Sequence, residues 1–182
     1  MSNRKIRAAV AAVIGLVAAG LVSAAPAQAA TSASVRPANV GAYAELLNLH
    51  TNNCADVTGK SRSSGAVIHQ WDCAAEAHQL WAFEQIGDPM AHVIRLRNMN
   101  SQLCMTAGFP YTNGVVIIQR ECDSGNTDNW WRLTADGDGF FRLIHVPSGR
   151  CLDLNNGSSS NGAKIQLWDC STASNAQDWY NA

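Results

Sequence analysis

Long apolar stretches are scarce in this 182-residue sequence. The main one runs from Ala8 to Val22 and falls short of the ~18–20 residues that span a bilayer. No later segment is apolar enough to enter a membrane, so membrane insertion is not expected. Charge is sparse too, with 13 Lys and Arg against 14 Asp and Glu. The basic residues are scattered, which leaves no footprint for nucleic acid and disfavours anionic lipid. Outside the N-terminal region nothing repeats at the helical period. Catalytic signatures are missing: there is no GxSxG, HExxH, phosphate-binding loop or GxGxxG. Without a CxxC pair, or a histidine at ligand spacing beside a cysteine, a zinc site is excluded as well. A non-enzymatic protein with no cofactor and no metal is the expectation.

The first 29 residues have the three parts of a secretory signal. Arg4, Lys5 and Arg7 form a basic start, the Ala8–Val22 run follows, and Ala24–Ala30 offers small residues for cleavage after Ala29 or Ala30. A secreted, extracellular protein is therefore expected. Removing this segment takes away three basic residues and leaves 10 against 14 acidic ones, a net charge of −4. Residues 30–40 read as a flexible leader, and 41–182 have the length of one domain.

Six cysteines organise that domain. Cys54, Cys73, Cys104, Cys122, Cys151 and Cys170, taken in order as pairs, are separated by 19, 18 and 19 residues. An even count at regular spacing in an exported chain reads as a disulfide framework. Six cysteines allow about 15 pairings. The repetition selects one: Cys54–Cys73, Cys104–Cys122 and Cys151–Cys170. Other residues keep the same period. Leu46, Leu96 and Leu143 each lie eight residues before a first cysteine, and Trp81, Trp131 and Trp179 lie eight or nine after a second one. Three copies of one unit follow, at about 41–88, 89–137 and 138–182.

Within each unit the segments are short and β-rich. Phe140–Val146, His92–Arg97, Ala163–Trp168 and Val115–Gln119 read as strands, separated by turn clusters such as Pro147–Gly149, Asn155–Ser158 and Asp136–Gly139. About four strands per unit make an all-β domain of about twelve. The chain is too short for a propeller of three four-stranded blades. Three units closing around a pseudo-threefold axis would bury their Leu and Trp residues together.

Two units match closely. The third reads Cys151-Leu152-Asp153-Leu154, Gln166-Leu167-Trp168-Asp169-Cys170 and Ala176-Gln177-Asp178-Trp179. The first reads Cys54-Ala55-Asp56-Val57, His69-Gln70-Trp71-Asp72-Cys73 and His78-Gln79-Leu80-Trp81. From about Ala42 to Ala182 the chain resembles the ricin B-type lectin family, marked by a thrice-repeated Gln-x-Trp in a β-trefoil. The resemblance implies a non-catalytic carbohydrate-binding protein. Trp71 and Trp168 would be sugar-stacking platforms, and Asp56 and Asp153, each 15 residues before its Trp, would accept sugar hydroxyls. His69 and Gln166, four before the second cysteine, and His78, Gln79 and Gln177 complete the candidate set. An indole offers a flat apolar face to sugar C–H groups. An ionised carboxylate is acceptor-only and can take two hydroxyls at once.

Departures are expected to matter. His69 and His78 bring imidazoles, which can donate or accept, to the first site. Ala176 replaces an expected asparagine, for which Asn175 is the neighbouring substitute. In the middle unit Thr106 stands at the carboxylate position and Arg120 at the platform, so that unit reads as structural. The expected partner is a polysaccharide or cell-surface glycan of galactose or xylose type, bound by a monomer. The rival reading is a secreted trefoil that binds a protein, for instance as a hydrolase inhibitor, since one fold supports several functions.

Overall fold

The computed structural model describes residues 41–123, 125–135 and 139–182. The expected signal and leader, and the Asp136–Asp138 part of one expected turn, lie outside them. Each repeat contributes four strands. The first has β1 (Tyr43–Asn48), β2 (Cys54–Val57), β3 (Ile68–Trp71) and β4 (Leu80–Gln85). The second has β5 (Val93–Asn98), β6 (Cys104–Ala107), β7 (Ile117–Arg120) and β8 (Trp131–Ala135). The third has β9 (Phe141–His145), β10 (Cys151–Leu154), β11 (Ile165–Trp168) and β12 (Trp179–Asn181). All pairings are antiparallel. The first and last strands of each repeat close a six-stranded barrel in the order β1-β4-β5-β8-β9-β12, with β12 returning to β1. The hairpins β2–β3, β6–β7 and β10–β11 gather beside the barrel, joined by isolated bridges such as Val67 with Ile118 and Val116 with Gln166. This is the β-trefoil, with the expected twelve strands.

The repeating Leu and Trp residues make its core. Leu46, Leu96 and Leu143 and Trp81, Trp131 and Trp179 are all fully buried. Each indole N–H donates to a backbone carbonyl of its own repeat, Ala55, Met105 or Leu152, at 2.9–3.1 Å. A buried indole is thereby satisfied, and each barrel strand is pinned to its hairpin. The three disulfides pair as the repeat predicts, with Cα–Cα distances of 5.1 Å in each. In the chain-entropy treatment, loops of this size gain about 3 kcal/mol each.

Contacts between repeats follow the same symmetry. Gly65, Gly114 and Gly162 adopt φ of +87°, +85° and +83°, a region open to glycine. Each donates its N–H to the carbonyl of the residue at the middle of another repeat's hairpin strand: Gln119, Leu167 and Gln70. Two of those residues add a side-chain strut. The Gln70 amide donates to the Ser158 and Ser160 carbonyls, and the Gln119 amide to those of Ser61 and Ser63. The third, Leu167, is fully buried and apolar. A second set supports the 3-10 turns that precede the closing tryptophans. Asn48, Asn98 and His145 donate to the carbonyls of Ala176, His78 and Asp128.

Candidate functional site

Hairpin register puts the candidate residues side by side. On β2–β3, Cys54 faces Trp71 and Asp56 faces His69; on β10–β11, Cys151 faces Trp168 and Asp153 faces Gln166. Because side chains alternate between faces, carboxylate, partner and indole share one side of each hairpin. The disulfide holds the platform end of the hairpin closed. Trp71 and Trp168 are each 44% exposed, whereas Asp56 and Asp153 are 4% and 6% exposed. A half-exposed ring beside a buried acceptor is therefore built twice.

In the third repeat, Asp153 Oδ1 accepts from the Gln166 amide at 2.9 Å and Oδ2 from the Gln177 amide at 3.0 Å. The same Gln177 nitrogen donates to the Asp169 carbonyl, while its oxygen accepts from Ser171 N. Asn155 donates to the Gln166 oxygen at 2.8 Å. Burial raises the Asp153 carboxyl above its ordinary value, against the pull of the two amides. A carboxylate has about four lone-pair sites, so two acceptor positions remain. These face a cavity of about 310 Å³ lined by Gln166, Trp168 and Gln177.

The first repeat closes its carboxylate more tightly. His69 Nε2 lies 3.0 Å from Asp56 Oδ1, and His78 Nε2 lies 3.0 Å from Oδ2. Gln79 donates to Oδ2 at 2.8 Å and to the Asp72 carbonyl at 2.9 Å, and its oxygen accepts from Ala74 N. The His69 ring stacks on Trp71 with centroids 5.4 Å apart. Three of about four acceptor positions on Asp56 are taken when both imidazoles donate. Lys60 pairs with Glu76 at the rim of a cavity of about 420 Å³.

All nine candidate residues fall into these two clusters, but with divided parts. Gln79 and Gln177 are 1% exposed, and both N–H groups of each amide are spent inside the protein. They position the carboxylate and the platform strand and offer no free donor. Lys60, Glu76, Asp72, Asn155 and Ser171 also belong to the sites; of these only Asp72 repeats by residue type, as Asp169, and nothing in the sequence marks the others. Asn175, the expected substitute for the missing asparagine, lines a neighbouring groove with His50 instead of the Asp153 cavity.

The middle repeat lacks this arrangement. Thr106 turns its hydroxyl onto the Cys104 carbonyl at 2.9 Å and faces Ile118 across the hairpin. Arg120 occupies the platform position and is exposed. The segment from first cysteine to loop glycine, Cys104 to Gly114, is one residue shorter than Cys54 to Gly65 or Cys151 to Gly162. The 3-10 turns found at Thr58–Lys60 and Asn155–Gly157 have no counterpart there. Tyr111 fills the region, donating to Asp128; burial first, then that carboxylate, pushes its hydroxyl up to about 12. Asn129, a methylene shorter than Gln79, leaves its buried oxygen without a protein partner.

The metal-type ligand atoms that come together among the described residues are those of Glu45, Cys54 and Cys73. Both sulfurs there belong to a disulfide, so the set does not make a thiolate site.

Comparison with known proteins agrees with this architecture. The family model described as the ricin-type beta-trefoil lectin domain matches residues 42–179. Serine protease 1 of Rarobacter faecitabidus is 25% identical over 130 residues, 71% of this chain but 22% of that protein. Pierisin of Pieris brassicae is 26% identical over 66% of this chain and 14% of its own length. The chain thus spans under a quarter of these curated relatives. Among solved structures, the designed threefold-symmetric protein ThreeFoil superimposes with a TM-score of 0.72 at 28% identity, covering 77% of this chain and 97% of ThreeFoil. The ricin B-like lectin of Macrolepiota procera, solved with lactose, shares the fold with a TM-score of 0.67 at 19% identity, over 80% and 98% of the two chains. With three disulfide-closed repeats around one barrel and a match across all three, the chain belongs to the ricin-type β-trefoil lectin domain family.

Proposed function

We propose that this protein is a secreted, non-catalytic carbohydrate-binding protein that takes neutral sugar rings at two sites, Asp56/Trp71 and Asp153/Trp168. One observation carries the reading: a buried carboxylate beside a half-exposed indole occurs in the same hairpin register in two repeats, and both residues are replaced together in the other. Sugar C–H groups would lie on the indole while the carboxylate accepts hydroxyls from the ring edge. His69 and His78 belong to the first site through Asp56, and Gln166 to the third through Asp153. Lectin folds among the structural neighbours support the class of ligand. The N-terminal segment supports export.

Shallow single sites are weak, and a 1 mM site corresponds to about −4 kcal/mol. Two sites on one rigid monomer gain avidity on a repeating polymer or a glycan-coated surface. Galactose- and xylose-type glycans are the first to test. A glycan array with the wild type, Asp56→Ala, Asp153→Ala and the double variant is the experiment. Binding retained in the singles and lost in the double supports two sites. Unchanged binding in the double variant removes the site assignment, whereas no glycan bound by the wild type favours a protein-binding trefoil.

A further inference from the structure

Two cavities meet in the third repeat. The one holding Asp153 and Trp168 and the adjoining one of about 390 Å³ share Asn156, Gly157, Ser174 and Ala176 as lining. The far wall of the second is His50, from the turn between β1 and β2 of the first repeat. A Cβ built on Gly157 would lie 3.4 Å from the His50 ring, so the chain crosses that boundary with nothing projecting into it. Each chamber reaches the ~300 Å³ at which ligand pockets begin.

The first repeat is closed at the equivalent place. Counting six residues from the first cysteine, Lys60 corresponds to Gly157. Counting back from the closing tryptophan, Glu76 corresponds to Ser174 and His78 to Ala176. Lys60 and Glu76 form an ion pair there, His78 Nδ1 lies 3.6 Å from Glu76 Oε2, and Asn100, at the position of His50, donates to the Lys60 carbonyl at 2.9 Å. Three small residues in the third repeat thus stand where the first has a lysine, a glutamate and a histidine.

Resting on the carbohydrate-binding reading above, we propose that the third-repeat site is a two-chamber cleft that takes two linked neutral sugar rings, with His50 of the first repeat as a specificity residue, while the first-repeat site takes a single terminal ring. The second chamber is lined by an imidazole, two carboxamides (Asn156 and Asn175), a hydroxyl and small apolar groups. It has hydrogen-bonding groups for hydroxyls and neither a carboxylate nor a lysine or arginine to select an ionic ligand.

The test isolates each site. In the Asp56→Ala protein, lactose is compared with galactose and xylobiose with xylose by NMR titration. One pair is expected to show the longer sugar binding about tenfold tighter, the worth of one or two added hydrogen bonds, with shifts at His50. In the Asp153→Ala protein the ratio should stay near one. His50→Ala, and separately Gly157→Lys with Ser174→Glu to rebuild the lid, should bring the third-site ratio toward one. The lysine tolerates that backbone, since Lys60 itself sits at φ +56°. An equal ratio at both sites, or a third-site ratio that neither variant changes, overturns the two-chamber cleft while leaving sugar binding in place. Absence of binding by any of the four sugars at either site overturns the carbohydrate reading itself, and the cleft with it.

Discussion

Replacing Asp153 by asparagine separates what the buried carboxylate does for a ligand from what it does to the fold. Asparagine keeps the shape but exchanges one acceptor oxygen for a donor, while both protein partners of Asp153 are amide donors. Gln177 cannot turn, because Asp169 and Ser171 hold both ends of its amide. The new NH2 therefore faces Gln166, whose amide must flip together with Asn155 or lose its bond. A buried donor left unsatisfied costs about 1–3 kcal/mol. Against this, Asp153 has a carboxyl raised by burial above the ordinary 3.8. A raised folded value means that protonated Asp153 favours the fold: its contribution is complete below about 3.8 and is lost as pH rises through the folded value. The stability of Asp153→Asn relative to wild type should therefore improve between pH 3.5 and pH 7, read by urea unfolding. At the ligand, loss of a charge-assisted bond of about 1.5–3 kcal/mol should weaken the third site about 10- to 150-fold, measured by sugar titration in the Asp56→Ala background. Unchanged affinity would refute the acceptor role. Relative stability that falls as pH rises would refute the account of the buried charge.

Other consequences concern the frame. His145 is fully buried and its value falls to about 4, chiefly by burial; stability tied to it should be present above about 6.5 and be lost as pH falls toward 4. His145→Asn, which copies Asn48 and Asn98, should flatten that acid limb in denaturation measurements. Replacing Cys104 and Cys122 by serine should cost about 3 kcal/mol in urea unfolding yet leave both sugar sites titratable. Trp131→Ala should cost about 3–5 kcal/mol, because it empties the core and strands the Met105 carbonyl; a small change in melting temperature would contradict its core role. Converting the middle repeat with Thr106→Asp, Ile118→Gln, Arg120→Trp and Asn129→Gln should raise the sugar stoichiometry from two to three by calorimetry. A stoichiometry still at two in the folded variant would show that the loop shortened by one residue also excludes sugar.

The covariation of these four middle-repeat positions is visible along the chain only in part. Asp56, Asp153, Trp71 and Trp168 stand out because equivalent units repeat residue type at equal spacing. The disulfides, the core Leu and Trp residues and the twelve strands are legible for the same reason: each unit must close its own loop and bury its own apolar face. Gln79 and Gln177 are legible as positions but not as roles, since a side chain's partners are invisible in sequence. Both spend their amides on holding Asp56 and Asp153, so a residue that repeats faithfully need not face the ligand.

The unit is legible in the chain alone: its cysteine loop, its strand-rich segments and which repeats retain carboxylate with indole. Those depend on residues close along the chain or repeated with a fixed period. Tertiary structure alone decided how one repeat completes another. His50 walls the third site from 107 positions before Gly157 in the chain, and Gln70 and Gln119 strut loops of neighbouring repeats. Such contacts join non-equivalent positions once the barrel closes. Several of them recur with the threefold symmetry, but spacing along one unit does not say which residues of two units meet, and their energy comes from geometry that exists only when all three units are in place.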